Sequence, residues 1–384
     1  KCLLTLADDG LASSELQFGF KTGSGCRDAI FTTRVVSEFF TDRGSTVNVC
    51  ALDLSKAFDK VNHYKLFSKL VERRISKRFI QVIVDWYSKC TARVKWGDTL
   101  SEEFSVLSGV RQGGVLSPIL FAVYVDDVTK KLRESGYGCH ISGIFLGCIL
   151  YADDILLLST SFTDLQKMLD ICVEQAGSID MQFNVKKSMF MRCGPRYLNK
   201  CAELCLDGEI IANVDVIKYL GVTFKAGREL KCIFIHAKAA FYRAFNALYA
   251  KCSTSQSELT SVFLMESVCL PILTYALEAT ILSSGAMKML DSVVNNALKK
   301  IFKVQSMESI SIIRFHFGLL DMQSVFYRRF CKFLLKFLVR PLTFADILVN
   351  LQLKHVHLIH AKYGLRWSGT LKCALHDVLN MIRL

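Results

Sequence analysis

The sequence is poor in proline, with four in 384 residues, at Pro118, Pro195, Pro271 and Pro341. It also holds no Ser/Gly-rich linker, internal repeat or low-complexity tract. These shortages exclude a string of modules on flexible tethers, a collagen-like chain and a solenoid. Long apolar runs are missing too: the one through Leu270 and Leu277 is bracketed by Glu266 and Glu278 and falls short of the roughly 18 residues a membrane span needs. No transmembrane helix is therefore expected. Nor does an apolar stretch with a small-residue cleavage site follow Lys1, which argues against a signal peptide. A start at Lys1 rather than Met is expected of a piece of a longer reading frame. The 15 cysteines are odd in number and lack the dense spacing of a disulfide scaffold, so reduced, mostly buried thiols in an intracellular protein are expected.

Against these shortages, 51% of the residues are hydrophobic, enough for a substantial core and two or three subdomains. The net charge of +13 and pI near 9.0 favour a polyanionic partner such as nucleic acid, with an acidic membrane surface as the other candidate class. Charge of this kind supports binding without specifying chemistry.

Chemistry is concentrated in Tyr151-Ala-Asp-Asp154. Two short apolar runs within residues 144–158 are interrupted only by these two carboxylates, the pattern of a strand-turn-strand with acids at its tip. Adjacent acids are costly to fold around, because like charges repel and desolvation opposes both anions. A divalent cation is the usual compensator, although Asp is also an ordinary turn former. A second acid, Asp53, ends the near-continuous apolar run Val47–Leu54, at the carboxyl end of a strand where ligand sites of α/β folds gather; a helix cap or turn is its plain structural alternative, and is the preferred reading for Asp59.

Other segments contribute less individually. Residues 17–25 form a Gly-punctuated loop in which Lys21 and, just beyond it, Arg27 are placed to follow a phosphate backbone, while a plain connector explains them as well. Next comes a helix with Phe31, Val35, Val36, Phe39 and Phe40 at helical spacing, and a later one is expected to bury Leu66, Phe67, Leu70 and Val71. A helix through Ile80, Val84 and Trp86 leads to a strand pair, 92–96 and 103–107, that turns at Gly97-Asp98. In Ser108-Gly-Val-Arg-Gln-Gly-Gly-Val-Leu-Ser-Pro118, Gly113 and Gly114 let backbone approach a ligand, and Pro118 suits a first helical turn. Tyr124-Val-Asp-Asp127 repeats the Tyr-x-Asp-Asp pattern, but its flanking apolar residues recur at three and four, placing Asp126 and Asp127 on the solvated face or end of a helix. Thr163-Asp-Leu-Gln166 is a capping box expected to open a helix with Leu165, Met168, Leu169 and Cys172 inward and Gly177 as its stop. Residues 181–191 are expected to be a strand carrying Lys186 and Lys187, and 216–224 a strand with a Gly bulge. Helices follow from about residue 228; the first carries Lys238 and Arg243 among Phe241, Tyr242, Phe245 and Tyr249, spacing that fits either a duplex-tracking face or core packing. His355, His357, His360, Cys373 and His376 have zinc-like spacing in part but match no intact finger pattern.

Taken in order, Gln17-Phe-Gly-Phe20, Leu52-Asp-Leu-Ser-Lys-Ala-Phe-Asp59, Gly109-Val-Arg-Gln-Gly-Gly-Val-Leu-Ser-Pro118, Tyr151-Ala-Asp-Asp154, Asn184-Val-Lys-Lys187 and Tyr219-Leu-Gly221 resemble the reverse transcriptases of non-LTR (LINE-type) retrotransposons. The resemblance spans residues 17–224, and several motifs in series are far more specific than one. It implies an α+β right-hand polymerase fold: partial fingers and an antiparallel-sheet palm with the Asp hairpin over 1–224, a helical thumb over 225–305 and a helical extension over 306–384. The implied activity is RNA-directed DNA polymerisation, with RNA template, DNA primer and dNTPs as partners and no membrane. A primer 3′-hydroxyl attacks the α-phosphorus of a nucleotide while two ions about 3.5–4 Å apart stabilise the attacking and leaving oxygens. Magnesium, or manganese in its place, is the implied metal, held by Asp53 and Asp153 with Asp154 in support.

By the same resemblance Phe58 is the gate under the sugar, with a core Phe as the alternative; Gln112 and Gly113 lie beneath nucleotide and template; and Arg111 contacts the template. Lys187, with Lys186 as the alternative, acts on the departing pyrophosphate, and Tyr219, Leu220 and Gly221 grip the primer. The implied location is nuclear at the integration site, with a cytoplasmic stage. Upstream finger strands, an endonuclease domain and a terminal knuckle are lacking from this pattern, so a truncated, catalytically inactive nucleic-acid-binding remnant is the alternative function. An RNA-directed RNA polymerase shares the acid logic, and Phe58 argues against it.

Overall fold

The computed structural model describes residues 8–352, apart from residues 112, 253–256, 281, 306 and 341. The chain divides into two compact units, Lys1–Ala29 with Phe40–Asp215, and Ile30–Phe39 with Val216–Leu384. The mixture of a mainly antiparallel sheet with packed helices is the expected α+β class.

A five-stranded sheet organises the first unit. Its strands are β1 (Val47–Asp53), β2 (Cys148–Tyr151), β3 (Asp154–Ser159), β4 (Met189–Cys193) and β5 (Ala212–Asn213), in the order β5-β4-β1-β3-β2. The near-continuous apolar sequence of β1 suits the central place, where both faces are covered: Val47, Val49 and Cys50 are fully buried. β1 pairs antiparallel with β3, setting Ala51 against Leu156 and Asp53 against Asp154, and with β4, setting Val47 against Cys193. Beyond β2 the chain near Gln17 runs parallel to it, Phe18 N donating to Leu150 O at 2.8 Å and Leu150 N to Leu16 O at 2.9 Å. This cover satisfies backbone groups that an open sheet edge would expose.

Helix Phe162–Ser178 packs on β3 and on helix Ser117–Glu134, which in turn packs on helix His63–Glu72. The first of these turns Leu165, Met168, Leu169 and Cys172 inward as expected. Its cap is Ser161 rather than Thr163: the Ser161 hydroxyl accepts from Asp164 N at 3.2 Å, and Gln166 reaches Asp170 and Cys205 instead of the cap. One other helix face differs from expectation. Helix His63–Glu72 buries Leu66 and Leu70 but leaves Val71 exposed. The expected helix through Ile80, Val84 and Trp86 forms as Lys77–Ser88, with Phe79, Ile83 and Tyr87 buried. Both short helices have apolar residues on more than one face, so periodicity alone leaves their rotation open. The expected strand pair forms as two short ladders, Lys95–Trp96 with Thr99–Leu100 and Thr91–Ala92 with Phe104–Ser105.

In the second unit, the expected strand over 216–224 is a hairpin: Val216–Tyr219 pairs with Val222–Lys225, which pairs with Lys231–Ile233. Leu220 (φ 45°) and Gly221 (φ 82°) form its turn, the positive-φ pair that two-residue hairpin turns require. Helices Ile235–Cys252, Ser284–Phe302 and Met322–Leu338 build the core. Phe241 and Phe245 are buried and stacked, so core packing claims them. Phe31 meets Phe333 and Phe337 edge-on at 5.1 and 4.9 Å. Arg34, 1% exposed, is held by Glu38, Gln352 and the Ala279 carbonyl, the pairing that a buried guanidinium needs.

Residues Glu258–Ala279 have the length and mean hydropathy (1.5) of a membrane-crossing helix, with 33% of that window buried. Such a run departs from the expectation that Glu266 and Glu278 interrupt the apolar stretch. Its path turns at Ala276 (φ 51°), and Glu278 is ion-paired with Arg329 at 2.8 Å. The cysteines described in both units are free thiols, many of them buried. The histidines and cysteines of the tail, His355, His357, His360, Cys373 and His376, lie outside the described residues.

Candidate active site

Strand pairing gathers the acids. Because Asp53 is the last residue of β1 and lies directly opposite Asp154, the first of β3, both carboxylates occupy one end of the sheet, with Asp153 between them in chain and turn. The turn itself is Ala152-Asp153, closed by the pair Tyr151 and Asp154. Ala152 is left-handed, φ 57°.

Charge is concentrated there. Asp154 keeps one side open to solvent, yet its carboxyl is drawn up to about 6, first by partial burial and then by the like charges of Asp153 and Asp53. Asp153 is also raised, by burial and by Asp53, against the opposing pull of its own backbone amide and of Lys187. The Lys187 ammonium is 3.6 Å from the Asp53 carboxylate but 68% exposed, so it offsets little of this repulsion. Among the described residues no three Asp, Glu, His or Cys side chains close around a single metal-sized point. The acids form an open edge, the arrangement suited to a hard cation that keeps several non-protein oxygens.

Lys187 reaches Asp53 from a turn, not from the expected strand, because β4 begins only at Met189. Asn184 N donates to Asp53 O at 2.8 Å, Lys187 N to Asn184 O at 3.1 Å, and the Ser188 hydroxyl to Asn184 O at 2.9 Å. This turn is thereby fastened to the end of β1.

Phe58 is half-buried, stacked on Phe121 at 4.5 Å with 16° between planes, and meets Phe20 edge-on at 6.2 Å. Phe20 also lies 6.3 Å from the Tyr151 ring and is 50% exposed. The Tyr151 hydroxyl is pushed up to about 12, first by its hydrogen bond with Cys26 and then by burial. Phe121 and Phe20 were not singled out from sequence; the motif Gln17-Phe-Gly-Phe20 was the available signal for the second.

The Gly109–Pro118 loop is docked beside Phe58. Val110 N donates to Phe58 O and Gly109 N to Val61 O, each at 2.8 Å, and His63 Nε2 lies 2.8 Å from Gly109 O. Gly109 (φ 91°) is required, since a Cβ there would meet Asp59 O at 2.9 Å. Arg111 is exposed, Gly113 follows in a turn, and Gln112 lies outside the described residues. Pro118 sits in the first turn of helix Ser117–Glu134.

Lys21 is committed within the fold: its ammonium donates to the Ser13 and Ser14 carbonyls at 2.9 and 2.5 Å, and burial lowers its pKa. Arg27 is exposed at the start of helix Cys26–Thr41. In the second unit Lys238 and Arg243 are exposed, Tyr219 is 3% exposed, and Leu220 O accepts from the Tyr275 hydroxyl at 3.0 Å. The look-alike acids contradict one expectation: Asp126 is 3% exposed rather than solvated, paired with Arg73 at 2.7 Å and accepting from Ser14 N at 2.6 Å.

A profile of the reverse transcriptase (RNA-dependent DNA polymerase) family matches residues 4–224, more than half of the chain and the whole acid cluster. The chain belongs to that family. Curated relatives place this reverse transcriptase among those of non-LTR retrotransposons. It is 26% identical over 224 residues to the Pol polyprotein of the R2DM element of Drosophila melanogaster, covering 56% of this chain and 21% of the relative. With the R2 Pol polyprotein of Popillia japonica it shares 23% over 268 residues, 68% of this chain and 43% of the relative. With the RNA-directed DNA polymerase of the Drosophila melanogaster jockey element it shares 26% over 291 residues, 72% and 30%. The chain thus spans less than half the length of these relatives. Among solved structures, telomerase from Candida albicans, in complex with a fragment of telomeric RNA, aligns over 91% of this chain and 55% of its own at 12% identity and TM-score 0.48. Reverse transcriptases in general use divalent metal ions.

Proposed function

We propose that this reverse transcriptase chain copies RNA into DNA, adding dNTPs to a primer 3′-hydroxyl. The observation that carries the reading is the end of the sheet, where Asp53, Asp153 and Asp154 stand together, two of them raised by burial and mutual repulsion. Such a site favours binding a cation over remaining anionic alone. Asp53 and Asp153 hold two magnesium ions, with Asp154 in support; bound there, the ions supply charge stabilisation to the attacking and leaving oxygens.

The chain's own groups do the positioning. Phe58, backed by Phe121, presents a rigid ring against the sugar, excluding a 2′-hydroxyl and selecting dNTPs. Lys187, fastened beside Asp53, neutralises the pyrophosphate as it departs. Gln112, Gly113 and Arg111 lie along nucleotide and template, with Arg27 on the template backbone; Lys21, although tied to Ser13 and Ser14, adds positive charge there. The turn Tyr219-Leu220-Gly221 grips the primer, and Lys238 and Arg243 track the duplex. In this reading residues 1–224 are fingers and palm, 225–305 thumb and 306–384 an extension, working on RNA and DNA at the nuclear integration site after a cytoplasmic stage.

The test is extension of a DNA primer on an RNA template with magnesium. Extension by the wild-type chain, lost with Asp153→Asn, is expected. Salt-sensitive nucleic-acid binding without extension would instead identify a non-catalytic binding module.

A further inference from the structure

The Asp hairpin tip carries a conformation its own sequence does not favour. Ala152 is left-handed at φ 57°, a region that residues other than glycine seldom enter, and it is 5% exposed, so its backbone groups need partners inside the protein. Both partners come from one side chain 135 positions away. The Gln17 carboxamide accepts from Ala152 N at 3.0 Å and donates to Ala152 O at 3.3 Å, while its oxygen also accepts from Gly19 N at 2.9 Å. Gln17 is itself 2% exposed. It continues, with a side chain, the ladder that Leu16 and Phe18 make with Leu150.

Gly19 makes this approach feasible. A Cβ at that position would lie 2.6 Å from Ala152 N and 3.3 Å from the Tyr151 carbonyl carbon, so no other residue fits between clamp and tip without moving one of them.

We propose that Gln17 is a positioning residue for the metal-binding acids: its carboxamide fixes Ala152, and thereby the direction of Asp153, against the repulsion that drives Asp153 away from Asp53. This rests on the polymerase reading above. Released from Gln17, the tip has no reason to hold two like charges together in the absence of metal. It relaxes outward, and a cation must then draw it back before binding. Groups that orient metal ligands from behind typically change metal affinity or activity by about 10–100-fold when removed.

The experiment compares the wild-type chain with Gln17→Met, which keeps the length and loses the hydrogen bonds. Three quantities are read: amide hydrogen exchange of the peptide covering 151–154, Mn2+ binding by electron paramagnetic resonance without nucleic acid, and primer extension against magnesium and dNTP concentration. Gln17→Met is expected to speed exchange at the tip about tenfold and to raise the Mn2+ half-saturation about tenfold. Its kcat should fall while KM for dNTP stays near wild type. Gln17→Glu retains an acceptor for both amides and is expected to hold exchange within about threefold of wild type. A lower melting temperature for Gln17→Met, with tip exchange and Mn2+ half-saturation unchanged, would overturn the proposal. If Gln17→Met does not fold, unprotected tip amides in Gln17→Glu would overturn it equally. Absence of extension by the wild-type chain would refute the polymerase reading alone, since exchange and Mn2+ binding judge Gln17 independently.

Discussion

Two four-residue stretches of this chain share a pattern and differ in everything built on it. In Tyr124-Val-Asp-Asp127 the fold has already answered both charges. Asp126 is buried against Arg73, Asp127 is paired with Lys69 and Lys130, and the Tyr124 hydroxyl donates to Ile179 O at 2.7 Å. Burial opposes the Asp127 anion, but the two lysines outweigh it and keep its carboxyl below the usual range. In Tyr151-Ala-Asp-Asp154 the same acids stand at a sheet end with the exposed Lys187 nearby, and both are raised. Charges paired inside a fold are costly to unpair, whereas charges left unanswered at its surface are poised to take a partner from solution.

The contrast is breakable, most sharply through activity. Asp153→Asn should lower primer extension by a factor on the order of 10³ or more, the loss of a metal ligand removing several kcal/mol of charge stabilisation, while Asp126→Asn leaves the rate per folded molecule near wild type. Steady-state extension normalised to folded protein decides, and the reverse ranking would undo the distinction.

Stability should rank the two the other way. Asp126→Asn leaves Arg73 without its buried partner and is expected to cost about 3 kcal/mol, measured by urea unfolding in the presence of a chelator. Asp154→Asn should instead raise the metal-free melting temperature at pH 7, by roughly a few degrees.

pH separates them further. A carboxyl raised in the folded state makes folding less favourable as pH climbs from the unfolded value near 4 to the folded value of about 6. With a chelator present, the melting temperature should therefore carry a downward contribution across that window, reduced in Asp154→Asn to what the raised Asp153 carboxyl still supplies and offset at pH 7 by added magnesium. Asp127 has the opposite sign: its carboxyl is depressed, so its contribution is present above about 4 and is lost as pH falls through the folded value. Differential scanning fluorimetry over pH 3–8 resolves both. The smallest effect is expected for Lys130→Met, whose bond to Asp127 at 3.3 Å is half-exposed; a change beyond about 0.5 kcal/mol would mean that the pair matters more than surface ion pairs usually do.

Part of this was legible in the sequence because it is local. The apolar run into Asp53 specifies a strand ending on an acid, the interrupted run around Asp153 and Asp154 specifies a hairpin with acids at its tip, and the structure pairs the first strand with the second arm of that hairpin at the acid end. Contacts between distant segments were not legible. Arg73 lies 53 residues from Asp126, and no helical period reveals that partner, so a buried acid was expected to be solvated. Lys187 lies in a turn rather than in the expected strand over 181–191, because Asn184 N donates to Asp53 O there, a contact across the fold that the local sequence does not announce. The Gln17 bonds to Ala152 join positions 135 apart, and only the motif Gln17-Phe-Gly-Phe20 hinted that this loop mattered.

The central position of β1 also governs how the acid cluster comes into being. Its neighbours are residues 154–159 and 189–193, so neither partner is a hairpin neighbour, and pairing of this kind is slow because a long loop must close before any contact rewards it. At roughly 5–20 residues per second, Asp53 leaves the ribosome several seconds before Asp153. Until then Val47–Asp53 is an apolar segment without either strand partner. Any chain broken off before Asp153 lacks the cluster altogether, which makes synthesis through the first unit a checkpoint on the chemistry.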